Sequence, residues 1–121
     1  MSWYSAVLVL ECVIGRQSQQ EPELQVRLVE ASHPDEAYTL ALEVGAKAEH
    51  SYRNHAGEEV SWQFRGLYEL TQLTGGPAHG VEVHSWRSRQ SPRQLVRPRE
   101  QLAVFWFDAS KQKTARQLLD D

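Results

Sequence analysis

Four of the five histidines form two pairs, His50 with His55 and His79 with His84, each separated by five positions. Two imidazoles reach one metal ion when they are about four apart on a helix or two apart on a strand. A spacing of five fits neither element. We therefore expect no metal site and no metal cofactor, and assign these histidines to a helix end, a turn and a loop.

Nucleophilic and acid–base chemistry finds little support in the remaining residues. The chain has no Gly-x-Ser-x-Gly elbow, and Cys12 falls on the inward face of a predicted strand, where a thiol is usually inert. Glu69 and His84 are the best candidates for an acid–base or ligand-binding pair, with Arg65 beside them, in a pocket between helix and sheet. We predict no catalytic residue and no cofactor.

A short arginine-rich segment, residues 87–99, is the strongest candidate for a binding feature. It carries no acid, whereas residues 1–86 carry five basic and twelve acidic side chains in a chain of net charge −3. Arginine suits bidentate contacts with phosphates or carboxylates, so nucleic-acid binding, docking on an acidic partner subunit and a solvated linker all remain open. Its arginines are Arg87, Arg89, Arg93, Arg97 and Arg99.

Alternating apolar residues predict two strands at the start of the chain. Residues 3–14 place Tyr4, Leu8 and Cys12 on one face, and residues 23–30 repeat the alternation, with Leu24, Val26 and Leu28 turned inward. The connection between them is too short for a parallel crossover, which favours an antiparallel pair.

A helix is predicted next, with Ser32 as the cap and Pro34 in the first turn. Small and apolar residues at helical spacing continue to Tyr52, and residues 54–57, Asn-His-Ala-Gly, are expected to end it. Alanines on its inward stripe would let it lie close to the sheet.

A long strand over residues 60–71 follows, with its large rings facing the helix. Trp62, Phe64 and Tyr68 share the inward face, and Gly66 indicates a bulge or bend. We interpret the rings as core. Residues 74–80 are predicted to form a hairpin loop, and residues 81–86 the return strand.

The last part of the chain does not repeat this pattern. Residues 102–107, Leu-Ala-Val-Phe-Trp-Phe, are apolar on both faces and must be covered, and a short helix is predicted after them. We expect a core domain over 1–90, a basic linker and strand–helix tail over 91–121, and a homodimer in which tails or sheet edges pair. The candidate interface residues are Leu102, Val104, Phe105, Trp106 and Phe107.

Composition is that of an ordinary water-soluble domain. A single cysteine excludes an internal disulfide, and the first residues lack the basic leader and cleavage site of a signal peptide. The apolar run near the start is broken by Glu11, so no membrane span is predicted. A cytoplasmic location is expected.

Three segments of the chain carry a family resemblance. WYSAVLVLEC at the start, EHSYRNHAGEEVSWQFRGLYEL from residue 49 and GVEVHSW from residue 80 resemble, in this order, the bacterial family catalogued as domain of unknown function 4288. The resemblance covers about residues 2–89; His84, where the family more often has tyrosine, and the GGPAHG loop depart from it. It implies no activity.

The expected fold is α+β: a four- to five-stranded antiparallel sheet in the order β-β-α-β-β, one main helix on one face, and a C-terminal strand–helix extension. Three functions are compatible with it. The first is a non-enzymatic protein-interaction module, such as a regulator or a toxin-immunity protein, acting as a homodimer. The others are a small-molecule-binding protein or enzyme, and nucleic-acid binding through residues 87–99.

Overall fold

The computed structural model describes residues 1–105, and the chain divides into two compact units, Met1–Ser85 and one that begins at Trp86. The first unit holds five elements. They are β1 (Ser2–Ile14), β2 (Gln17–Ala31), α1 (Pro34–Ala48), β3 (His50–Arg53) and β4 (Glu59–Gln72).

The four strands form one antiparallel sheet in the order β2-β1-β4-β3. The mixed α and β character and the β-β-α-β-β order are confirmed, but the third and fourth strands are not the predicted ones. Residues 50–53, placed in the helix and its end from sequence, form β3, and residues 81–86 form no strand. Residues 103–105 form a 3₁₀ turn rather than part of a fifth strand, and the predicted final helix lies outside the described residues.

Helix α1 packs on one face of the sheet through a row of small residues. Ala37, Ala41 and Gly45 are buried and four positions apart, so they share one face of the helix. A Cβ atom at Gly45 would lie 2.3–2.5 Å from three ring atoms of Phe64. The predicted interlocking of sheet rings with small helix residues is therefore confirmed at Phe64, although the contact residue, Gly45, was not anticipated.

The helix begins and ends differently from the prediction. His33, not Ser32, is the N-cap: its Nδ1 accepts a hydrogen bond from the Glu36 amide at 3.2 Å, and Pro34 occupies the first turn. Ser32 instead donates from its hydroxyl and amide to the Glu36 carboxylate. The helix ends at Ala48, and Asn54–Gly57 belongs to the turn between β3 and β4.

The inward face of β1 is predicted correctly and that of β2 is not. Tyr4, Leu8 and Cys12 are buried, whereas Leu24, Val26 and Leu28 are 54%, 43% and 37% exposed. Cross-strand pairs explain this difference. Leu8 lies opposite Gln25, so the three apolar residues of β2 occupy the opposite face from the helix, and only Val29 and Ala31 join the core.

Two bulges flank Gly66 in β4, as its glycine suggested. Tyr68 and Arg65 have no direct partner on β1, and Gly66 has φ 140, a backbone conformation that residues with a Cβ rarely adopt. The bulge at Tyr68 turns this side chain outward, where it is 64% exposed. Its predicted position in the core is therefore wrong. Leu67, expected out of phase, packs against the core instead.

Cys12 provides a direct chemical test of this packing. Its side chain is buried, and burial raises the pKa of the thiol. We expect iodoacetamide to modify native protein only through opened molecules, which are roughly 10⁻³ to 10⁻⁶ of a stable population. Modification should become fast in denaturant, and mass spectrometry measures its rate under both conditions. Native protein that reacts as fast as unfolded protein would contradict the assignment of Cys12 to the core.

The described part of the second unit contains short helical turns joined by irregular segments. A four-residue helix, α2 (Pro92–Leu95), is capped by Ser91 and Gln94 in a reciprocal capping box. Two 3₁₀ turns follow, at Arg99–Gln101 and Ala103–Phe105. The guanidinium of Arg99 lies 3.9 Å from the ring centroid of Phe105, a cation–π contact.

Candidate functional site

A pocket of about 620 Å³ lies on the sheet face that is turned away from α1. Ser5 from β1 and Glu69 and Thr71 from β4 contribute from the sheet, and residues 81–85 contribute from the segment after the loop. Ser5 and Thr71 are direct cross-strand partners, with Val7 and Glu69 as the next pair on the same face. Its volume is within the range of small-molecule sites in proteins.

The Ser5 hydroxyl is the least expected group in this pocket. The side chain is 1% exposed, and its Oγ has no hydrogen-bond partner among the described residues. A buried hydroxyl without a partner costs about 1–3 kcal/mol. Ser5 therefore places a hydroxyl without a partner at the lining of the pocket.

Glu69 and His84, singled out from the sequence, do meet in one place, since both line this pocket. The pocket lies on the opposite face of the sheet from the one predicted, because residues 81–85 cross the outer face instead of pairing as a strand. Ser5 and Thr71 were missed as site residues. The sequence did carry one indication of them, because both are polar residues on the strand face opposite the apolar Tyr4 and Leu70.

Arg65 does not join Glu69 and His84. Its guanidinium binds the Glu11 carboxylate, with Nη2 2.6 Å and Nε 2.8 Å from Oε1. The Ser18 hydroxyl donates to the other carboxylate oxygen at 2.5 Å. The Ser18 hydrogen bond, followed by Arg65, lowers the pKa of Glu11, so this exposed cluster is a charged link between β1, β2 and β4.

The arginine-rich segment lies in the second unit with its side chains exposed. Arg93 is in α2, and Arg99 is engaged with Phe105. Of the proposed interface residues, Leu102, Val104 and Phe105 are exposed, while Trp106 and Phe107 lie outside the described residues. Nucleic-acid binding by Arg87, Arg89, Arg93, Arg97 and Arg99 and burial of the tail at an interface stay predictions.

The edge of the sheet at β2 is the second surface with a distinctive composition. Within residues 1–105 its only strand neighbour is β1, and it presents Leu24, Val26 and Leu28 on the outer face. On the other face, Arg27 donates from Nη2 to Gln25 Oε1 at 2.8 Å, and Gln25 Nε2 donates to Glu23 at 2.5 Å. An apolar row and a charged row thus run along an edge that has no strand partner in the described part of the chain.

The described residues hold neither a cluster of metal ligands nor a membrane-spanning helix. Residues 1–105 contain no cluster of three or more histidine, cysteine, aspartate or glutamate side chains that could hold a metal ion. Over the same residues, no helix has the length and apolar character needed to cross a membrane.

Comparison with known proteins gives one positive result. The sequence profile of the family described as Domain of unknown function (DUF4288) matches residues 3–85, which is most of the chain and the whole of the sheet and helix. Neither a curated protein nor a solved structure matches.

Proposed function

The chain belongs to the DUF4288 family, and we propose that it is a non-enzymatic protein-interaction module that forms a homodimer through the edge of β2. The observation that carries the proposal is the exposed row of Leu24, Val26 and Leu28 on a strand that pairs along one edge only among residues 1–105. Long edge strands with apolar side chains pair with other strands unless they are blocked.

The backbone of β2 is oriented for such pairing. Trp3 accepts a backbone hydrogen bond from Leu73, so odd-numbered residues of β1 direct their backbone groups toward β4. Even-numbered residues of β1 then face β2, and their partners are Glu23, Gln25 and Arg27. The amides and carbonyls of residues 24, 26 and 28 are therefore directed outward along the free edge.

Charge favours a second copy of this chain as the partner. When two β2 strands pair antiparallel about Gln25, each Glu23 lies opposite Arg27 of the second copy, and each Leu24 lies opposite Val26. Both the charged row and the apolar row are then self-complementary. Pro22, which lacks an amide donor, limits the pairing to the part of the strand that follows it.

The dissociation constant of the dimer tests the proposal. Arg27→Glu would place two like charges opposite each other at two symmetric positions. We expect it to weaken dimerisation by about 100-fold, which corresponds to about 1.4 kcal/mol for each facing like-charge pair. The double variant Glu23→Arg/Arg27→Glu restores opposite charges and should recover most of the affinity. Analytical ultracentrifugation over a concentration series measures both.

Tyr38→Lys is the matched control, because Tyr38 is an exposed apolar residue that lies on α1 and not on the paired edge of β2. It should leave the dimer unchanged, and circular dichroism should show all variants folded. A wild-type chain that stays monomeric at high concentration would refute the proposal. So would a charge-swapped double variant no better than the single one.

A further inference from the structure

We propose that the pocket on the outer face of the sheet is a binding site for a small organic cation that carries an ammonium group. The site adjoins the β2 edge, since Ser5 lies directly opposite Leu28, but its lining contains no residue of β2 and it does not require the homodimer. Three features support this assignment: the enclosing elements, the charge of the lining and the buried Ser5 hydroxyl.

The pocket is built by two paired strands and one irregular segment of the first unit. Ser5 is on β1, and Thr71 and Glu69 are on β4, where backbone pairing holds them side by side on one face. Residues 81–85 pass over this face and leave a volume of about 620 Å³. A volume of this size is within the range of small-molecule sites in proteins.

The charge of the lining selects a cation. Glu69 and Glu82 both line the pocket, and the lining contains no arginine or lysine. The Glu69 carboxylate accepts one hydrogen bond from the Leu70 amide at 3.0 Å through Oε1, which fixes its position on the strand. Two carboxylates in a lining whose basic side chain is His84 alone, without arginine or lysine, attract a positively charged group and disfavour an anion.

The Ser5 hydroxyl is the second, independent indication of a ligand. It is buried in the sheet at the pocket lining and has no partner among the described residues. A hydroxyl both donates and accepts, so it can bond a second polar group of the ligand while a carboxylate holds the ammonium. Small molecules with a nitrogen cation at one end and a polar group at the other fit this arrangement.

Three probes with the same four-carbon chain separate charge from shape. Putrescine carries two ammonium groups, 1,4-butanediol is neutral and succinate carries two carboxylates. Titration followed by amide chemical shifts should show saturable binding of putrescine, with the largest shifts at Ser5, Thr71 and His84. The diol should bind at least about tenfold more weakly, because it lacks the charge that the carboxylates select, and succinate should not bind.

Variants assign the binding to this pocket. Glu69→Gln should weaken putrescine binding by about tenfold or more, and Ser5→Ala by about threefold. Ser5→Ala should also raise the melting temperature of the free protein, since it removes a buried hydroxyl without a partner. Glu43→Gln, an exposed acid on α1, is the control and should change neither measurement.

Putrescine binding that Glu69→Gln leaves intact would place the cation elsewhere and overturn the proposal. Equal binding of putrescine and the diol, or no binding of any probe, would overturn it as well. The two proposals can fail separately. Sedimentation of the β2 variants tests the homodimer, and titration of the pocket variants tests the ligand site.

Discussion

Gly45→Val is expected to lower the free energy of unfolding by about 3 kcal/mol, the upper part of the range for an overpacked core. A Cβ atom at this position would overlap three atoms of the Phe64 ring, at 2.3–2.5 Å. Valine adds two more carbons, and its branched side chain has few rotamers in a helix. Either the ring leaves its place or α1 lifts from the sheet. Urea unfolding followed by circular dichroism measures the loss.

Two controls isolate the contact between Gly45 and Phe64. Glu43→Val makes a β-branched substitution on the exposed side of the same helix and should cost no more than about 1 kcal/mol. In a Phe64→Ala background, Gly45→Val should cost much less than in the wild type, because the ring is no longer there. Additive effects in this double-mutant cycle would contradict the packing described for α1.

The sequence is informative wherever burial alone decides the pattern. The alternation in β1 is correct because this strand lies between two neighbours, with its even-numbered side chains under α1. The same pattern in β2 identifies a strand and not its buried face. An edge strand can carry its apolar row on the outer face, and α1 covers only the end of β2 near Val29 and Ala31.

The missing strand at residues 81–86 has a different cause. Its alternation, Val81 and Val83 with polar residues between, is that of a strand, but a ladder also requires a regular edge to pair with. β3 occupies the first part of the β4 edge, over residues 59–62, and the bulges at Arg65 and Tyr68 interrupt the remainder. Residues 81–85 line the outer pocket instead. Local pattern carries no information about which edges are free.

The irregular path of residues 81–85 and the bulges of β4 also explain which residues of the site could be predicted. Glu69 and His84 were selected for their chemistry, and the structure brings them to one pocket. Arg65 was placed with them because it precedes Glu69 by four residues, yet the bulges between the two alter their spacing, and Arg65 reaches Glu11 instead. Ser5 gains its importance only from the segment that covers it, which no strand pattern reveals.

The glycine between the two bulges leads to the second large expected effect. Gly66→Ala should lower the free energy of unfolding by about 2 kcal/mol, a typical cost for backbone strain at one residue. Gly66 has φ 140, and no atom lies within 4 Å of a Cβ built there. The cost therefore comes from the backbone and not from a clash. Thermal unfolding and the amide shifts of Glu69 and Thr71 measure it.

Gly76→Ala makes the same chemical change at a glycine with ordinary φ, where the new methyl would lie 3.6 Å from the Trp3 ring. It should be neutral or stabilise the protein by up to about 1 kcal/mol, because alanine reduces the freedom of the unfolded chain. A difference between the two variants thus reports the bulged geometry of β4 alone. Since two bulges together return Glu69 to the outer face beside Thr71, the Gly66 variant should also weaken putrescine binding, whereas the Gly76 variant should not. Equal stability of the two variants would show that β4 does not need a glycine to curl.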